Sequence, residues 1–158
     1  MTLQTACVRL IAIAMAAGCA AFSATAWELN AESERAYVYA KDDAGPSLML
    51  ACSDQMGIQA LVYLDGNAAD ELGLDGVRRL DSRYVSVETE TTAPRSDRWR
   101  FARSPRTLIS IEPWQGRRIY NAVVTGSPVK MEISREGVFT LNLPPVNEAF
   151  KTFSKTCL

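Results

Sequence analysis

The sequence predicts a mainly β protein: an antiparallel β-sandwich or barrel with a middle helix and a C-terminal helix tied to the sheet by a disulfide. Three observations carry that expectation. Short segments rich in β-branched and aromatic residues alternate apolar and polar at period two, as in Tyr84–Glu90 and Asp97–Ala102. Turn residues punctuate them at Asp42–Pro46, Asp54–Gly57, Asp65-Gly66 and Glu136-Gly137. Strands do not alternate with helices, which argues against a doubly wound parallel sheet.

Trp27–Glu34 reads as a polar lead-in with one aromatic. Ala36–Ala40 is a strand by its Tyr-Val-Tyr content. Ser47–Cys52 follows, with Leu48, Leu50 and Cys52 on one face, then Ile58–Leu64 with Ile58, Ala60, Val62 and Leu64 on one face. These three form a meander. Asn67–Arg83 is the least patterned stretch and reads as a surface loop held down by Leu72, Leu74, Val77 and Leu80. Tyr84–Glu90 points Val85 and Val87 inward and Glu88 and Glu90 outward. Thr91–Ser96, with Pro94, reads as a turn. Asp97–Ala102 sets Trp99 and Phe101 against Arg98 and Arg100, and Thr107–Ile111 is a short strand.

Pro113–Val124 reads as a helix, since proline fits the first turn; Trp114, Ile119, Ala122 and Val123 share its apolar face, with Gly116 a weak point. Val129–Ser134 and Val138–Leu143 form a hairpin that Pro144-Pro145 ends. In the last helix Val146, Phe150, Phe153 and Cys157 fall on one continuous stripe.

Two parts are expected: a signal peptide over 1–26 and a single disulfide-stapled β-rich domain over 27–158. Arg9 supplies the basic start, Leu10–Ala17 the apolar run and Ala24-Thr25-Ala26 the small-residue cleavage site. A competing route lipidates Cys19 in Ala16-Ala17-Gly18-Cys19, anchoring the product to the envelope. The expected location is the periplasm, with no transmembrane segment after cleavage. The chain carries 17 basic and 18 acidic residues. That balance argues against a nucleic-acid binder.

Of the four cysteines, Cys7 and Cys19 lie in the leader, so Cys52 and Cys157 are left to pair in an oxidising compartment. The chain has no histidine. This removes Ser-His-Asp and Cys-His nucleophile systems and the usual zinc and copper sites. Ser33, Ser47 and Ser110 have no base beside them in sequence, Ser154-Lys155 reads as helix surface, and no carboxylate pair is marked for glycoside hydrolysis. No enzymatic activity, cofactor or metal is expected. Asp42, Asp43, Asp54 and Asp65 are explained by turn chemistry, against the alternative of a calcium site.

Two surfaces remain. Arg98, Arg100, Arg103 and Arg106 form a candidate face for an anionic partner, within a run that includes Arg95, Arg117 and Arg118. The competing reading is a solvated strand face balanced by Glu88 and Glu90. Tyr37 and Tyr39 form a candidate aromatic face for a sugar or peptide, with Tyr63 a further candidate and Trp99 and Phe101 assigned to the core.

The order of landmarks resembles the periplasmic VasI/TagO family associated with type VI secretion: Trp27, Ser47–Cys52, the Trp99 strand Asp97–Phe101, a helix around Arg117, Gly137–Leu141 and the terminal helix Ala149–Cys157. The layout is also similar to the invasion-associated locus B proteins, small exported β domains with paired cysteines. The resemblance implies a non-enzymatic envelope accessory or protein-interaction domain; with the arginine face, the expected partner is an envelope protein or an anionic envelope component. The alternative is a ligand-binding or inhibitor module for a cell-wall glycan, lysozyme or protease.

Overall fold

In the computed structural model the described residues are 26–30, 36–41, 45–53, 57–64, 72, 80–103 and 105–158. Residues 1–25, within the expected leader, and Asp42, Asp43, Asp54 and Asp65, which the sequence reading assigned to turns, lie outside them. Among the described residues nine strands form one curled antiparallel sheet: β1 (Glu28–Asn30), β2 (Tyr37–Ala40), β3 (Ser47–Ser53), β4 (Gly57–Tyr63), β5 (Leu80–Thr89), β6 (Thr92–Arg103), β7 (Arg106–Ser110), β8 (Val129–Ile133) and β9 (Gly137–Leu141). Their order across the sheet is β1-β2-β3-β4-β7-β6-β5-β8-β9. Helix α1 (Pro113–Thr125) connects β7 to β8, and α2 (Glu148–Cys157) follows β9.

The period-two segments bury one face. Val38, Leu48, Leu50, Ile58, Ala60, Val62, Val85, Val87, Trp99, Phe101 and Leu108 are fully or almost fully enclosed. Both helices lie against that face. Helix α1 packs on β4 and β7, and α2 packs on β1, β2 and β3. They meet where the Tyr120 ring stacks on Phe150 at 5.3 Å and the Tyr120 hydroxyl donates to Ser154 Oγ at 3.0 Å.

Three segments differ from the sequence expectation. The lead-in forms β1, because Glu28, Leu29 and Asn30 pair with Tyr39, Val38 and Tyr37. A strand of three residues has too little alternation to be read alone. Strand β5 starts at Leu80 rather than Tyr84, since Leu80 to Arg83 find partners in Ala102 to Trp99. Strand β6 takes in the stretch expected to turn at Pro94. The β5–β6 register shifts between Val87 and Thr89, and β7 pairs only with Trp99–Arg103. Pro94 therefore sits beside a bulge on a one-sided part of the strand, where its missing N–H costs no ladder bond.

Gly116 is the contact point of α1 with the sheet. A β-carbon there would stand 2.0 Å from the Ile58 carbonyl oxygen. Gln115 beside it is buried. Its Oε1 accepts from the Ile111 and Glu112 amides at 2.7 and 2.8 Å, and its Nε2 donates to the Arg98 carbonyl at 3.0 Å. This side chain ties the helix start to β6. Gly126 ends the helix in the left-handed region at φ 68°.

Cys52 and Cys157 are bridged, with Cα atoms 5.4 Å apart, joining α2 to β3. Such a bridge is consistent with an extracytoplasmic protein. A second clasp reinforces it. Trp27 Nε1 donates to the Pro144 carbonyl at 3.0 Å, and Asn147 Nδ2 donates to the Trp27 carbonyl at 2.9 Å. Asn147 Oδ1 also accepts from the Phe150 amide, capping α2. No helix among the described residues is long and apolar enough to cross a membrane.

Candidate functional site

The helices cover one face of the sheet, so the candidate side chains divide by strand register. Direct cross-strand partners share a face. One row of partners crosses seven strands: Glu28, Tyr39, Met49, Leu61, Ile109, Arg100 and Ser82. Tyr39, Met49, Leu61 and Ile109 are half-buried, and Arg100 is exposed. This outer face, opposite the helices, holds an apolar strip with a carboxylate at one end and a guanidinium near the other.

The four candidate arginines do not form one face. Arg98 and Arg100 are exposed on the outer face. Arg103 and Arg106 are cross-strand partners and fall on the opposite side, at the strand ends. Arg98 donates from Nη2 to Ser82 Oγ at 3.2 Å. Tyr84, paired with Arg98 across the strands, is 59% exposed. Glu88 does not balance the arginines: its carboxylate lies 3.4 Å from Lys130 Nζ on β8. The register sets Glu88 opposite Lys130, two pairs away from Ser86, where β5 meets β6 residue Ser96.

A second arginine group, not singled out in the candidate face, sits on the helix side. The Arg95 guanidinium lies 3.8 Å over the Trp114 ring. Trp114 is thus half-buried under a cation rather than fully in the core. Arg118 donates to the Ala93 carbonyl on the uncovered part of β6, and its Nε is buried without a partner. Burial, and then repulsion from Arg95, lower the Arg118 pKa from its usual value. Among the described residues none of Arg95, Arg98, Arg100, Arg103 or Arg118 is paired with a carboxylate. Arg83 is different. Burial opposes its charge, but bonds of 2.6 Å to Asp81 and to Glu136 outweigh that and raise its pKa. It fastens the β8–β9 hairpin to β5.

The aromatic candidates converge. Tyr37 and Tyr39 line an open groove of about 400 Å3 on the outer face, together with Glu28, Asn30, Met49 and Tyr63. Tyr39 and Tyr63 stand almost perpendicular, at 81°, with centroids 6.1 Å apart. The Tyr63 hydroxyl points to Met49 Sδ at 3.8 Å. Trp99 and Phe101 are fully buried and take no part. The alternation of β2 made Tyr37 and Tyr39 legible. Glu28 and Asn30 were missed because β1 itself was, and Met49 because only the register of β2, β3 and β4 sets it beside the rings.

Among the described residues no group of three or more histidine, cysteine, aspartate or glutamate side chains gathers to hold a metal ion. Against protein-family models, curated proteins and solved structures, the chain finds no match.

Proposed function

We propose that the chain is a non-enzymatic accessory domain of the bacterial envelope, exported to the periplasm, whose partner docks on the outer face of the sheet. One observation carries the reading: the half-buried strip from Tyr39 through Met49 and Leu61 to Ile109, ending at the exposed Arg100 and Arg98. Aromatic residues, methionine and arginine are the types enriched at protein interfaces. The arginines lacking carboxylate partners favour an acidic protein surface or an anionic envelope component. The landmark layout shared with VasI/TagO proteins supports the same reading, with a type VI secretion role as its narrowest form. Cys19 lipidation is its anchored variant.

The test is a crosslinking pull-down from intact envelopes, using the full chain with its own leader. A discrete envelope protein is recovered, and it is lost when Arg98 and Arg100 are both changed to Glu. Recovery that is identical with that variant removes the reading.

A second reading, a ligand-binding or inhibitor module, is favoured by the tyrosine groove. Retention on cell-wall glycan, or inhibition of lysozyme or a periplasmic protease, would support it. Absence of all three would remove it.

A further inference from the structure

The groove on the outer face of β1–β4 has a chemistry of its own. The three tyrosines present rings whose faces carry negative electrostatic potential. Met49 adds a polarizable sulfur, and the single charged side chain among the described lining residues is the Glu28 carboxylate, directly across the ladder from Tyr39. No lysine or arginine is among those lining residues, although Lys41 is exposed two residues beyond Tyr39. An anion would therefore meet no full positive charge among the described lining residues.

We propose that this groove binds a small organic cation bearing a quaternary ammonium group. Tyr39 and Tyr63 hold each other edge to face at 81°, and the tyrosine rings lining the groove offer a cation their π systems beside the Glu28 carboxylate. A methylated ammonium has no N–H donors that need acceptors, and it is weakly hydrated. That suits a lining of rings and a thioether with one carboxylate. The volume of about 400 Å3 is that of a small-molecule site rather than of a macromolecular footprint. The proposal is independent of partner docking along the strip, since the probes below are small molecules.

The test uses choline, its neutral isostere 3,3-dimethyl-1-butanol and the disaccharide N,N′-diacetylchitobiose, each titrated into the oxidised protein and followed by backbone amide NMR. Choline is expected to shift amides of β1–β4 saturably. The isostere, having the same shape and no charge, is expected to bind at least about fivefold more weakly. Glu28→Gln should weaken choline several-fold and leave the isostere unchanged. Tyr39→Ala should weaken choline by about 2–30-fold, the range of a cation–π contact from exposed to desolvated. Tyr39→Phe keeps the ring, so it should retain binding and controls for a folding defect. Equal binding of choline and isostere would overturn the proposal, and so would no response to choline. Binding of the disaccharide without choline would overturn it in favour of the glycan module. Choline binding intact, with no discrete partner recovered in the pull-down or with recovery unchanged by the Arg98 and Arg100 substitutions, would remove the docking proposal alone.

Discussion

Gly116→Ala is the substitution whose outcome separates local propensity from packing. Alanine is the better helix former, by about 1 kcal/mol, and an isolated α1 would gain from it. In the folded protein the added β-carbon would stand 2.0 Å from the Ile58 oxygen, 2.8 Å from the Ile58 carbon and 3.2 Å from the Ala60 nitrogen. All three obstacles are backbone of β4, where Ile58 and Ala60 pair with β3 and the Ala60 amide donates to Ser110 Oγ at 2.9 Å. No rotamer change relieves such a clash. Helix α1 must lift by about 1 Å, a gap that forfeits roughly a quarter to a half of the dispersion attraction across a contact. Ile119, Ala122 and Val123, all within 2% of full burial, lie on the lifted helix. Overpacking of this kind costs about 1–3 kcal/mol, and the rigid obstacle puts it at the upper end. With the propensity gain subtracted, the net loss is about 2 kcal/mol. Urea unfolding reads it directly. With a slope of about 1–3 kcal/mol/M, the midpoint should fall by roughly 1 M and the slope should not change. Arg117→Ala, one residue on and exposed, should change stability by less than about 0.5 kcal/mol. A Gly116→Ala midpoint at or above that of the parent would show that α1 does not press on β4 through this residue.

Three further outcomes follow from the packing. Cys157→Ser opens a loop of 105 residues, and loss of such a bridge should lower stability by about 2–5 kcal/mol. Unchanged melting, with Cys52 resistant to alkylation, would refute the staple. Gln115→Ala strips partners from the Ile111 and Glu112 amides and the Arg98 carbonyl, and should cost about 3 kcal/mol at about 1 kcal/mol per bond. A loss below about 1 kcal/mol by urea unfolding would mean that water replaces it. Asn147→Ala removes the α2 cap and the bond to the Trp27 carbonyl, for about 1–2 kcal/mol, and the Trp27 emission should shift to the red. An unshifted spectrum would show that the clasp does not hold the ring.

The parts of the fold legible in the sequence are those where burial acts on one strand at a time. Val85 and Val87, Trp99 and Phe101, and Leu48 and Leu50 alternate because one face of each strand is enclosed, and each pair is buried. Phe150 and Phe153 were equally plain on the helix period. What escaped depends on partners distant in sequence. Pro94 looks like a turn until the bulge and the short reach of β7 make it acceptable in β6. Gly116 looks like a weakness until Ile58 is placed against it. Gln115 drew no reading from the sequence, yet it is buried and bonded to three backbone groups. The site divides in the same way. Alternation set Tyr37 and Tyr39 on one face, and continued along β6 it sets Arg103 opposite Arg98 and Arg100, whereas the side of Arg106 follows only once β6 and β7 are paired.

The staple and the groove share the same strands. Helix α2 packs against β1, β2 and β3, and these carry Glu28, Asn30, Tyr37, Tyr39 and Met49 on their other face. Strand β1 is an edge of three residues, too short to be held by its ladder alone. Its position depends on the Trp27 clasp, on the Trp27–Phe150 ring contact at 5.0 Å and on the bridge that fixes α2. Reduction of the bridge should therefore loosen the groove before it unfolds the core. In Cys157→Ser the amides of Leu29 and Val38 should exchange faster by a large factor, while those of Val87 and Met131, in strands that α2 does not staple, should slow or quicken only with global stability. Uniform acceleration across both sets would mean that the bridge acts on the unfolded chain alone and contributes nothing specific to the groove.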